Sequence, residues 1–70
     1  MATVVERIAQ FLRASKGRGF CDNCLRLRVR LARLEEAQHA ATQLAAEEGF
    51  LRAEAHCSGC GGMKTITWAQ

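Results

Sequence analysis

Four cysteines, arranged as two Cys-x-x-Cys pairs, constrain what this chain can fold into more than any other feature. Cys21 and Cys24 form the first pair, Cys57 and Cys60 form the second, and the 70 residues contain no other cysteine. Two such pairs can supply the four thiolates of a tetrahedral zinc site. The 32 residues between the pairs must then fold back so that both pairs meet. The sequence therefore predicts a structural Zn²⁺ bound by these four cysteines.

Three other interpretations of the cysteines compete with zinc binding. Structural disulfides need an oxidising compartment, but the N-terminus carries Glu6 and Arg7 inside its apolar stretch and lacks a signal-peptide pattern. A thioredoxin-like redox pair is expected beside a βαβ pattern, for which 70 residues leave no room. Buried apolar cysteines would make the paired spacing a coincidence. We therefore expect reduced, metal-binding cysteines in a cytoplasmic protein.

Two histidines are alternative ligands. His56 adjoins Cys57 and is too close to bind comfortably beside it, and His39 falls in the middle of a predicted helix. We expect both to be exposed polar residues. Glycines inside and after the second pair suit a tight knuckle. Cys24 runs directly into Leu25, which indicates that the first pair sits at the start of a helix, where the helix dipole favours thiolates.

Length and composition limit the domain organisation. Seventy residues make one domain at most, and we predict a single zinc-binding domain over residues 1–70. A core of this size is marginal and usually needs extra stabilisation, which a metal site can supply. A content of 49% hydrophobic and 24% charged residues is typical of a globular chain. No apolar run approaches the length of a membrane span, so no membrane partner is expected.

The first predicted helix runs from Thr3 to Ser15. Thr3 and Glu6 have the spacing of a capping box, and the apolar side chains repeat at helical intervals. A short turn containing two glycines follows, and we expect Phe20 in the core.

Residues 25–31 are ambiguous between helix and strand. Apolar residues alternate with arginines, which is the period of a strand, but the apolar positions together with the cysteines also fit a helix. We favour a short helix from about Asp22 to Arg30, with Leu31 facing inward at a corner. If the alternating pattern determined the structure, residues 25–31 would instead form a strand.

The rest of the chain predicts a long helix and a hairpin. Ala32 to Glu48 is rich in strong helix formers, and Gly49 is suited to ending the helix. A strand from Phe50 to Ala55 can lead into the second cysteine pair. The return strand is predicted from Met63 to Trp68, where apolar and polar residues alternate and β-formers are frequent. The second cysteine pair would then lie at the tip of this hairpin.

The order of a helix, a short helix, a long helix and a β-hairpin resembles a winged helix-turn-helix domain from Val4 to Trp68. The resemblance is carried by the corner at residues 30–33, the long helix ending at residues 45–50 and the strand pair beyond it. In particular, the chain looks like small microbial winged-helix proteins in which four cysteines tie the second helix to the wing. The resemblance implies an α+β fold and a transcription factor whose third helix enters the DNA major groove.

The charge distribution is consistent with a polyanionic partner. Residues 1–34 contain eight arginines and lysines against two carboxylates, whereas residues 35–70 contain two against five. Such a basic half is an electrostatic footprint for a polyanion, although a solvated arginine-rich face without a ligand would have the same composition. The resemblance implies that the polyanion is double-stranded DNA.

The family roles can be carried over to particular residues. The residues expected to face the groove, where Gln can pair with adenine and Arg with guanine, are Arg33, Gln38, His39, Thr42 and Gln43. The residues expected to contact phosphate, which position the protein without specifying a sequence, are Lys16, Arg18, Arg26, Arg28, Arg30 and Lys64. Glu35 and Glu36 oppose this assignment because they repel phosphate.

Two other functional classes remain. The Ala- and Glu-rich third helix would also suit a zinc-stabilised module for protein interaction or assembly, with a protein partner or a second copy of the chain. Enzyme activity and a small-molecule substrate are not expected, because a four-cysteine zinc site leaves no open coordination position.

Overall fold

The computed structural model describes residues 3–70; Met1 and Ala2, the first two residues of the predicted domain, lie outside the described residues. Within residues 3–70, three helices and a three-stranded antiparallel sheet confirm the predicted α+β class. In chain order the elements are α1 (Val4–Ala14), β1 (Phe20–Cys21), α2 (Asp22–Val29), α3 (Leu34–Ala45), β2 (Phe50–His56) and β3 (Met63–Ala69). Within residues 3–70, none of the helices combines the length and the apolar composition needed to cross a bilayer.

Helix α1 begins as the sequence predicts. The Thr3 hydroxyl accepts a hydrogen bond from the Glu6 N–H at 3.1 Å, which satisfies one of the free donors at the helix start. The apolar face buries Ile8, Ala9 and Leu12 against the rest of the core. The prediction of an amphipathic first helix is therefore confirmed.

Helix α2 resolves the ambiguity of residues 25–31 in favour of a helix. Leu25 and Val29, four residues apart, are buried on one helical face, whereas Leu27 is 59% exposed. A strand would have placed all three side chains on the same face. The helix ends because Arg30 adopts a left-handed conformation with φ 59° and ψ 57°, and Leu31 beyond it is buried as expected.

Helix α3 is shorter than the predicted range of Ala32 to Glu48. At its start the Arg33 N–H donates to the Glu36 carboxylate at 3.2 Å, so Arg33 is the residue preceding the helix and not part of it. At its end the N–H groups of Ala46 and Glu47 bond to carbonyls three residues back, which closes a tighter turn. The last turn holds no basic residue, and acidic residues follow it, an arrangement that the helix dipole disfavours.

The sheet contains one strand more than predicted. Besides the expected β2–β3 hairpin, β1 pairs with β3, with Phe20 opposite Thr67 and Cys21 opposite Ile66. The strand order β1-β3-β2 therefore places β3 in the centre. A two-residue strand gives no periodic signal in a sequence, so only the tertiary pairing defines it. Phe20 is buried, as the sequence predicts.

An ion pair fastens α2 to the sheet. The Arg52 guanidinium on β2 donates to both carboxylate oxygens of Asp22, at 2.7 and 2.8 Å, and to the Thr67 hydroxyl at 2.9 Å. Hydrogen bonding to Asp22 raises the pKa of Arg52. The Arg52 and Asp22 side chains are only 19% and 13% exposed. The sequence places these residues 30 positions apart and gives no indication of the contact.

The left-handed Arg30 generates a stability prediction. An L-residue in this conformation is strained by about 1–2 kcal/mol, while glycine is not, although glycine costs more entropy on folding. We expect Arg30→Gly to stabilise the protein by roughly 0.5–1 kcal/mol in urea denaturation. The control Arg28→Gly, in the body of α2, should destabilise it by about 1 kcal/mol. Equal destabilisation by both variants would contradict the left-handed assignment.

The ion pair generates a second prediction. In a double-mutant cycle with Asp22→Asn and Arg52→Gln, each single variant should lose about 2 kcal/mol, because each leaves a mostly buried charge unpaired. The double variant should lose less than the sum of the two, and the difference reports the coupling. Additive losses in the unfolding free energy would show that the two side chains do not interact.

Candidate metal centre

The metal-ligating candidates lie at the junction of two segments. Cys21 ends β1 and precedes the first residue of α2, and Cys24 lies in the first turn of that helix. Cys57 directly follows β2, and Cys60 lies in the connection to β3. The structure thus brings both predicted pairs together: the four Sγ atoms all lie within 4.8 Å of one another. The first pair is at a helix start, as predicted.

The sulfur positions fit one metal ion. Cys24 and Cys57 Sγ are 3.5 Å apart, and Cys21 and Cys60 Sγ are 3.9 Å apart. A tetrahedral ion with metal–sulfur bonds of about 2.3 Å requires sulfurs separated by about 3.8 Å. All four cysteines are free thiols, three of them buried and Cys60 exposed. The four cysteines could therefore hold one metal ion.

The second pair is shaped by a tight turn. The Cys57 N–H donates to the Gly62 carbonyl at 2.9 Å, and the Gly61 N–H donates to the Cys57 carbonyl at 2.8 Å. Gly59 lies against the first pair, because a Cβ built on it would approach Cys24 Sγ to 2.8 Å. The absence of a side chain at this position is therefore what lets the turn reach the first pair.

Backbone hydrogen bonds join the two segments directly. The Cys21 N–H donates to Cys57 Sγ at 3.2 Å, and within the turn itself the Gly59 N–H donates to the same sulfur at 3.3 Å. The Ser58 N–H donates to the Gly19 carbonyl at 2.8 Å, just before β1. The turn that carries the second cysteine pair is therefore held against the start of α2 by backbone contacts in addition to any shared ion.

The thiols differ in acidity. Burial opposes ionisation of Cys57, but the backbone N–H groups of Cys21, Cys60 and Gly59 point at its sulfur and lower its pKa to about 6. Burial raises the pKa of Cys24, and hydrogen bonding to the Cys21 and Cys57 sulfurs raises it further. Binding of a metal ion would displace the thiol protons, because metal ligation requires thiolates.

Neither histidine belongs to the sulfur cluster. In the described part of the chain, the group that can hold a metal consists of the four cysteines. The His39 ring lies 3.2 Å from the Gln43 amide on the exposed side of α3, and His56 Nδ1 lies 3.3 Å from the Gly61 carbonyl oxygen. Both histidines are exposed, as predicted.

The predicted nucleic-acid residues are placed mainly on the surface. Of the eleven, all are exposed except Arg26, which is partly buried. Four of the five groove candidates lie on α3, whereas Arg33 precedes it. The structure does not leave all of them free: the Arg28 guanidinium lies 5.7 Å from the centre of the Phe20 ring, and the Thr42 hydroxyl donates to the Gln38 carbonyl.

Comparisons with known proteins give no relative for this chain. No protein-family model matches the sequence, and searches of curated proteins and of solved structures give no match either.

The close approach of Gly59 to Cys24 generates a prediction. In Gly59→Ala the new Cβ would force the turn away from Cys24 Sγ, so the Zn²⁺ affinity should fall by about tenfold or more. A competition titration against a chromophoric chelator measures this affinity. The control is Ser58→Ala, since Ser58 is exposed and contacts Gly19 through its backbone alone. Equal affinities of Gly59→Ala and the unaltered protein would refute the proposed geometry.

Proposed function

We propose that this chain is a zinc-stabilised winged helix-turn-helix domain that binds double-stranded DNA and acts in transcription regulation. The observation that carries the proposal is a row of exposed polar side chains on α3, together with arginines and lysines elsewhere on the surface that form no ion pair within residues 3–70. The metal has a structural role, and the protein is not an enzyme. Each part of this proposal has separate support.

The choice of zinc rests on the donor set. Four cysteine sulfurs that lie within 4.8 Å of one another match the ligand set of structural zinc sites, which leave no position for water or substrate. A soft, fully sulfur-ligated site disfavours Mg²⁺ and Ca²⁺, which take oxygen ligands. Free thiols are maintained in the cytoplasm, where we place the protein.

The winged helix-turn-helix assignment is supported by the order and contacts of the elements. Helices α2 and α3 are joined by the four residues 30–33 and pack against each other. The β2–β3 hairpin follows α3, as a wing follows the recognition helix in this family. In this proposal α3 enters the major groove and the hairpin lies against the DNA backbone.

The DNA-binding proposal depends on charges without internal partners. Within residues 3–70, the ion pair between Arg52 and Asp22 is the one salt bridge, and neither residue belongs to the predicted DNA-binding set. None of the seven arginines and lysines of that set forms an ion pair with a carboxylate within residues 3–70. Unpaired cations of this number favour a phosphate backbone, because each neutralised phosphate releases counterions.

The two glutamates at the start of α3 weigh less against DNA than the sequence implies. Glu36 accepts the Arg33 N–H, so it has a local role in starting the helix. Glu35 is exposed and remains available to accept a hydrogen bond from a cytosine amino group.

The test is a duplex selected from a random pool, titrated at 50 and 200 mM salt. Binding should weaken with salt, and Arg18→Gln should reduce the logarithmic salt slope by about 0.9. Gln38→Ala should cost about 1–3 kcal/mol on the selected duplex and relax its sequence preference. The control Arg13→Gln removes the same charge outside the predicted set and should leave both quantities nearly unchanged.

Two outcomes would reject DNA binding. One is the absence of binding to any duplex at 50 mM salt, and the other is binding that does not respond to salt. A protein complex that survives nuclease and high salt would instead support the alternative of an interaction module. Leu27, exposed between two arginines on α2, is the side chain that favours this alternative.

A further inference from the structure

The sheet has one long open edge. The strand order β1-β3-β2 leaves the outer side of the seven-residue strand β2 without a neighbour. All strand pairing of β2 is with β3, and none of the other backbone hydrogen bonds within residues 3–70 involves a residue of β2. The opposite edge is formed by β1, which has only two residues. Strand β2 therefore presents unused backbone donors and acceptors along its length.

This edge lacks several of the features that normally protect an edge strand. Proteins block edges with proline, bulges, charged side chains (lysine above all) or a covering element. The charged side chains of β2 are one of each sign, Arg52 and Glu54. The β2–β3 register runs without interruption through seven pairs, the chain has no proline, and β2 contains no lysine. Ala53 on this strand is small and exposed, so no bulky side chain obstructs the approach of another strand.

The sequence of β2 suits pairing with a copy of itself. Ala53 is the midpoint of Phe50–His56, so an antiparallel pair about a twofold axis at Ala53 uses the full length of both strands. In that register Arg52 lies opposite Glu54 of the second copy, and the same pair recurs by symmetry. Leu51 then lies opposite Ala55, which makes an apolar pair on the other face of the sheet.

The neighbouring registers would bring like charges together. Twofold pairing centred on Arg52 would place two arginines opposite each other, and pairing centred on Glu54 would place two glutamates opposite each other. Like charges in directly opposed positions are destabilising. Arg52 uses three guanidinium hydrogen bonds for Asp22 and Thr67, so two of its five N–H groups remain for Glu54 of the second copy.

We propose that β2 pairs with β2 of a second copy of this chain, in antiparallel register centred on Ala53, to form a six-stranded sheet across a twofold axis. On the outer face of this sheet, Trp68 and Leu51 lie opposite each other within each copy. Ala53 lies on the same face at the twofold axis, between the two Trp68–Leu51 pairs. The dimer does not depend on DNA binding, although it would present two α3 helices related by symmetry.

The first experiment measures oligomeric state by sedimentation equilibrium over a range of concentrations, on the metal-loaded chain. The unaltered protein should dimerise, and Ala53→Lys should weaken the dimer by about tenfold or more, because it opposes two lysines at the axis. The control Met63→Lys adds the same charge on β3, where the side chain is exposed and away from the β2 edge. It should leave the dimer intact.

The second experiment tests the register and remains informative if Ala53→Lys fails to fold. Across an antiparallel pair, opposed Cβ atoms lie about 4.5–5.5 Å apart, so Ala53→Cys should form a disulfide-linked dimer on mild oxidation. The control Ala55→Cys lies about 14 Å from its symmetry mate along the strand and should not cross-link.

Three results would overturn the proposal. The first is a protein that stays monomeric at millimolar concentration. The second is a dimer that Ala53→Lys and Met63→Lys affect equally. The third is cross-linking of Ala55→Cys that matches or exceeds that of Ala53→Cys. Circular dichroism and metal content of each variant establish that it is folded before the comparison.

Discussion

The meeting of the two cysteine pairs is the contact on which the rest of the fold depends. It joins the start of α2 to the connection between β2 and β3, two segments more than 30 residues apart in sequence. Gly59 makes the approach possible, and the Cys21 N–H bond to Cys57 Sγ fixes it. The Asp22–Arg52 ion pair lies immediately beside this junction and holds the same helix to the same sheet. The ion pair and the four cysteine sulfurs therefore lie at one interface.

A chain of this size needs such a junction because its core is small. The large side chains that are fully buried are few, and several core positions are alanines that remove little apolar area from water: Ala9, Ala37, Ala40, Ala41 and Ala69. Domains this short have marginal hydrophobic stabilisation. Structural zinc contributes roughly 10–16 kcal/mol in small metal-dependent domains, comparable with the whole stability of an ordinary domain. We therefore expect folding and metal binding to be coupled.

Local sequence patterns predicted the helices and the hairpin but not the contacts between distant residues. The start of α1 depends on neighbouring residues, and the pairing of the cysteines follows from a strong chemical preference. Both features could therefore be predicted from the sequence. Strand β1 could not, because two residues have no period and acquire strand character only from β3. The ends of α3 were misplaced because Glu36 and the tighter last turn, and not helix propensity, set them. The pairing of Asp22 with Arg52 depends on how α2 lies on the sheet, which no local pattern specifies.

X-ray absorption at the zinc edge of the purified protein tests the central claim most directly, since it counts the ligands of the ion and measures their distances. The account predicts one zinc per chain with four sulfur ligands at about 2.3 Å. A coordination shell containing nitrogen or oxygen would contradict it. So would a protein that purifies without metal and unfolds at the same temperature whether or not zinc is added.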